Sequence, residues 1–95
     1  MIVAVVRFTI DPPLPPAELA AAFEASAPRY QGVPGLSRKH FLMEPDGSMG
    51  GGVYLWESRD AAAAMYTDEW SARIESKYGS RPTIDWFDSP VTVEG

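Results

Sequence analysis

The chain opens with a run in which both side-chain parities are apolar. Ile2, Ala4, Val6 and Phe8 occupy one face of Ile2 to Ile10, and Val3, Val5, Arg7 and Thr9 occupy the other. Its β-branched content predicts a first strand. The prolines of Asp11-Pro12-Pro13-Leu14-Pro15-Pro16 end it, and Pro15 or Pro16 suits the first turn of a helix. From Ala17 to about Tyr30 one face recurs every three or four positions (Leu19, Phe23, Ser26 or Ala27, Tyr30), which predicts helix one. Gly32 stands where such a helix would stop.

Alternation returns between Leu36 and Trp56, interrupted by Pro45-Asp46-Gly47-Ser48. Asp-Gly between strand-like runs is a hairpin signal. A two- or four-residue turn there sets Lys39 opposite Tyr54, Phe41 opposite Gly52 and Ser37 opposite Trp56. The other face then holds Leu36, Arg38, His40 and Leu42 against Val53 and Leu55. A three-residue loop would flip one strand. Gly50-Gly51-Gly52 predicts a bulge or a close backbone approach. Ser58 offers an N-cap to a helix from Arg59 to about Tyr66, and Thr67 offers a second to a piece ending near Tyr78, stopped by Gly79. Thr83 to Val93 reads as a last strand, with Pro90 suggesting an edge or bulge.

The predicted order is β-α-β-β-α-β, an α+β ferredoxin-like arrangement with a four-stranded antiparallel sheet and its helices on one face. The opposite face keeps large apolar residues, so a homodimer packed sheet to sheet is expected. The alternative is a monomer with a half-wet sheet.

Composition narrows the picture. The 95 residues form one domain, 1–95, and contain no cysteine, so no disulfide or thiolate site is available. The net charge of −5 and the scattered basic residues argue against a nucleic-acid partner. No stretch reaches transmembrane length, and Met1–Val6 lacks a preceding basic region, so it reads as a strand rather than a signal peptide. No membrane association and a cytoplasmic location are expected. One histidine cannot build a histidine metal site, and the serines lack a histidine–carboxylate set.

The candidate chemistry lies near Trp56. Tyr54 and Trp56 share a face and read either as an aromatic pocket wall or as plain core. Trp70 and Tyr66, four apart, are placed to close such a pocket, with Phe41 and Phe23 as further substrate-binding candidates. Lys39 is the sharper catalytic candidate. Turned toward the helices it is a partly buried ammonium whose pKa falls, suited to act as a base or to face an oxyanion. Otherwise it snorkels past the sheet edge or pairs with Glu57 or Asp85. His40 is a candidate acid or base, and Tyr66 a candidate phenol.

The stretch Gly-Gly-Val-Tyr-Leu-Trp-Glu-Ser-Arg-Asp-Ala-Ala (51 to 62) resembles the dimeric α+β-barrel superfamily. Together with Pro34-Gly35-Leu36, Arg38-Lys39-His40-Phe41, Trp70 and Tyr78-Gly79, it is most similar to the YdhR-type monooxygenase group, near the antibiotic-biosynthesis monooxygenases. The resemblance implies a homodimer with a cavity between helices and sheet in each subunit. For the enzyme members it implies oxygenation of aromatic, polyketide-like substrates without metal or flavin, so no cofactor is expected. The strand-end tryptophan carries over to Trp56, and the following helix position falls near Met65 or Tyr66. The chain departs from the pattern at strand one: the asparagine of the enzyme members falls on Val6, and the sequence contains no asparagine. The expected function is therefore a cofactor-independent monooxygenase acting on a small aromatic or enolisable substrate. The alternatives are a non-catalytic small-molecule-binding or stress-related dimer, and an isomerase or cyclase on the same fold.

Overall fold

A computed structural model describes residues 1–95. Strand β1 (Ile2–Thr9) leads to α1 (Pro16–Ser26), which tightens into a 3₁₀ turn at Ala27–Tyr30. The hairpin β2 (Leu36–Met43) and β3 (Met49–Trp56) follows, then α2 (Arg59–Met65), α3 (Asp68–Tyr78) and β4 (Thr83–Asp88). The strands pair antiparallel in the order β2-β3-β1-β4. This is the ferredoxin-like topology: each crossover helix returns the chain one strand beyond its neighbour.

Local chemistry accounts for the helix ends. Pro16 takes the first position of α1, where its missing N–H is not needed. The Ser58 hydroxyl accepts from the Ala61 amide at 3.1 Å and starts α2, and Thr67 does the same for the Trp70 amide at 3.2 Å and starts α3. Gly79 ends α3 in the left-handed region, at φ +99°.

The expected hairpin register holds from Met43 to Arg38: Lys39 faces Tyr54 and Phe41 faces Gly52. It fails at Ser37. A shift between Leu36 and Arg38 places Leu36, not Ser37, opposite Trp56. Leu36 thereby joins the packed side and Ser37 is exposed. Burying the leucine and leaving the hydroxyl in water is the favourable choice, and one extra residue on β2 achieves it. No irregularity occurs at the triple glycine, where β3 pairs with β1 without a break. The close approach is real there: a β-carbon at Gly50 would lie 2.9 Å from the Phe8 ring and 3.1 Å from that of Phe23. The last strand is shorter than expected. Its pairing ends at Ile2 opposite Asp88, and Pro90 offers no N–H to extend it.

The core lies between the sheet and the helices. Ala4, Val6, Phe8, Tyr54 and Trp56 from the sheet pack with Leu19, Phe23, Ala62, Trp70 and Tyr78. The other face carries Val3, Val5, Val53 and Leu55, with Leu42 37% and Phe87 56% exposed. An ion pair between Arg7 and Asp85 (2.5 Å) sits on the same side. No helix is long and apolar enough to cross a membrane.

Candidate active site

Four elements wall a cavity of about 90 Å³ between sheet and helices. The sheet contributes Val6, Phe8, Lys39, Phe41, Tyr54 and the backbone of Gly51. Helix α1 and the 3₁₀ turn add Phe23, Ser26, Arg29 and Tyr30. Helix α3 adds Trp70, Arg73, Ile74, Lys77 and Tyr78. Those five positions follow the three–four spacing of one helical face. A second hollow of about 250 Å³ adjoins the first and shares Arg29, Tyr30, Trp70 and Arg73 with it.

Lys39 is the cavity residue whose ionisation the surroundings change most toward neutrality. Its ammonium nitrogen lies 3.3 Å from the centre of the Tyr30 ring, 3.6 Å from that of Phe41 and 4.6 Å from that of Tyr54. Neither Glu57 nor Asp85 pairs with it; Asp85 is held by Arg7. Ring faces attract a cation, but each by only ~0.5–2 kcal/mol. Loss of hydration outweighs them, and burial lowers the Lys39 pKa to about 7. An amine so placed exchanges its proton near neutrality and is a competent general base.

The phenols behave in the opposite sense. Burial, reinforced by the neighbouring Tyr30, raises the pKa of Tyr54 far above the ordinary tyrosine value. Burial also raises Tyr66, despite the opposing hydrogen bond from Trp56, and Tyr78. These side chains stay protonated and serve as walls or donors, not bases.

The structure brings Lys39, Phe41, Phe23, Tyr54 and Trp70 together around the cavity. It places three other candidates elsewhere. Trp56 is fully buried behind the cavity, its ring parallel to that of Tyr54 at 6.1 Å, and its indole N–H donates to the Tyr66 hydroxyl at 3.0 Å. It is core, because its single polar group is satisfied internally. Tyr66 is held in the same bond and does not line the cavity. His40 follows Lys39 and points to the opposite face, exposed, opposite Val53. Strand alternation removes it from the site.

Sequence reasoning missed Tyr30 and the remaining cations. Trp70 donates its indole N–H to the Tyr30 hydroxyl at 3.3 Å, tying α3 to the 3₁₀ turn. Arg29, Arg73 and Lys77 surround the cavity, and none is paired with a carboxylate. The helical stripe 70-73-74-77-78 is the available signal: three–four spacing puts Arg73 and Lys77 on the same face as Trp70, Ile74 and Tyr78.

An α+β ferredoxin-like sheet with a cationic, aromatic cavity beneath its helices defines the class. Over residues 3–88 the chain matches the family described as "Putative mono-oxygenase ydhR", and it belongs to that family. Solved structures share the fold. One is the protein NE2512 of unknown function from Nitrosomonas europaea (15% identity, TM-score 0.75, covering 99% of this chain and 93% of that one). Another is the monooxygenase from the gene ActVA-Orf6 of Streptomyces coelicolor in complex with nanaomycin D (20% identity, TM-score 0.70, 99% and 91%). A third is a variant of SnoaB, a cofactor-independent oxygenase from Streptomyces nogalater (23% identity, TM-score 0.68, 99% and 97%). No curated protein matches the chain.

Proposed function

We propose that the chain is a cofactor-independent monooxygenase for a small enolisable aromatic held in the helix–sheet cavity. The observation that carries this reading is Lys39, an amine near its neutral point, caged by three rings and without an acidic partner. Membership of the ydhR family and the likeness to oxygenase folds support it.

A naphthohydroquinone in the cavity would react in three steps. The Lys39 amine takes the phenolic proton. The resulting anion passes one electron to O₂, and the two radicals combine to form a C–O bond at the ring carbon. Cleavage of O–O with loss of water leaves the hydroxyquinone. One oxygen atom ends in the product and one in water, and the substrate supplies all the electrons. Tyr54, Phe41 and Trp70 hold the ring in a dry setting, which places the reactants and prevents leakage of the anion to solvent.

The test is incubation of 1,4-naphthohydroquinone under ¹⁸O₂. The expected product is 2-hydroxy-1,4-naphthoquinone carrying one labelled atom, formed above the enzyme-free rate. A Lys39→Met variant should lose roughly 10²–10⁴-fold in rate. Unlabelled product, or equal turnover by the variant, overturns the reading.

The apolar outer face supports a homodimer packed sheet to sheet, which would leave both cavities open on the helical sides. The cysteine-free composition fits a cytoplasmic setting. A non-catalytic binding dimer is the second reading, favoured by the lack of any asparagine in the chain. It predicts a ligand that raises the melting temperature without being altered.

A further inference from the structure

The protein is acidic, yet its cations are gathered. Of eight basic residues, Arg29, Lys39, Arg73 and Lys77 line one cavity, and none of the thirteen acidic residues does. Arg29 and Arg73 line both this cavity and the adjoining hollow, so they stand where the two meet. Both are exposed, and neither is engaged by a carboxylate. Elsewhere Arg7 and Arg81 are each paired with an acid, Arg59 stacks on Trp86 at 3.8 Å, and Arg38 stands alone and exposed on β2. Two unengaged guanidiniums beside an apolar cavity form a ready site for a planar anion, since their N–H forks match a carboxylate.

We infer that the ligand is an aromatic acid, its ring against Tyr54 and Phe41 and its carboxylate held between Arg29 and Arg73. This rests on the reading of the cavity as a substrate site, but not on the oxygen chemistry. The arrangement divides the labour. The arginines supply recognition that does not titrate, while the deeper Lys39 is left free to exchange a proton. The cations at the cavity also offset locally a net charge of −5 that otherwise works against an anionic ligand.

The experiment compares 1-hydroxy-2-naphthoate with its methyl ester by titration calorimetry under argon at low ionic strength. The wild type should bind the acid at least about tenfold more tightly than the ester, a difference of about 1.4 kcal/mol. An Arg29→Gln/Arg73→Gln double variant should lose that preference and retain its affinity for the ester. Because the rim is solvated, added salt should erode the preference in the wild type as well, with the ester unaffected. The preference should persist at pH 6 and at pH 9, as arginine stays charged in both. Equal binding of acid and ester, binding of neither, or a preference that survives the double variant or disappears at pH 9 overturns the inference. Oxygen uptake is measured separately. Acid-selective binding without oxygen consumption sinks the proposed activity alone, and labelled hydroxyquinone without acid preference sinks this inference alone.

Discussion

The two faces of the sheet are built from the same strands, with alternate residues, yet they treat charge in opposite ways. Lys39 and His40 are neighbours on β2. Lys39 enters an aromatic cage and loses the hydration that keeps an ammonium charged, while His40 stays in water. On the outer face of the single chain Arg7 meets Asp85, both about half exposed, so each charge there finds an opposite partner instead of an aromatic cage. What differs is the layer above. Helices turn the inner face into a low-dielectric space where one amine becomes chemically poised, and the uncovered face leaves its charges ordinary.

The largest effect is expected at Trp56, which carries the packing of the inner face. Trp56→Ala should cost about 3–5 kcal/mol in denaturant unfolding. A loss below about 1 kcal/mol would mean that the ring lines open space instead of packed core.

Lys39→Met is expected to have the next largest effect. The folded pKa, about 7, lies below the unfolded value, so between pH 7 and about 10 the unfolded chain binds more protons and wild-type stability rises with pH. The variant lacks that slope. It should be more stable than wild type at pH 7 by roughly 2–4 kcal/mol, and the gap should close toward pH 10. In the same assay His40→Gln should leave both stability and rate unchanged. A parallel pair of pH profiles for wild type and Lys39→Met contradicts the burial of the amine. In turnover, the wild-type rate should climb through pH 7 as the base loses its proton, and a flat profile would remove Lys39 from the mechanism.

On the outer face, Leu55→Lys should convert a dimer to a monomer in gel filtration, leaving ligand binding in the cavity intact. An unchanged elution volume would show that this face is not the contact. In that monomeric background Arg7→Ala should have a small effect, less than about 0.5 kcal/mol in denaturant unfolding, because the Arg7–Asp85 pair is about half exposed in the single chain.

Much of the fold was legible because its signals are local. Ser58, Thr67 and Gly79 marked helix ends by the hydrogen bonds and backbone angles they supply, and the structure uses each. The hairpin register followed from Asp46-Gly47 as far as Arg38. Beyond it, whether Leu36 or Ser37 meets Trp56 depends on an apolar surface assembled from distant segments, which no local pattern encodes. The site was legible by face but not by depth. Alternation put Lys39, Tyr54 and Trp56 on one side. Only the three-dimensional packing reveals that Tyr66 satisfies the indole of Trp56, while space opens beside Lys39 instead. Arg73 and Lys77 lay on a readable stripe, but a basic residue between apolar ones looks alike whether it faces water or a cavity mouth.

The glycines of β3 give the cavity its capacity by subtraction. A methyl group at residue 50 would press on the phenyl rings of Phe8 and Phe23, and one at residue 52 would crowd the Lys39 stem at 3.1 Å. Each of those three side chains borders the hollow. The size of guest is thus written in absent carbon atoms, and an alanine at residue 50 or 52 would shrink the chamber while the side chains that wall it kept their identity.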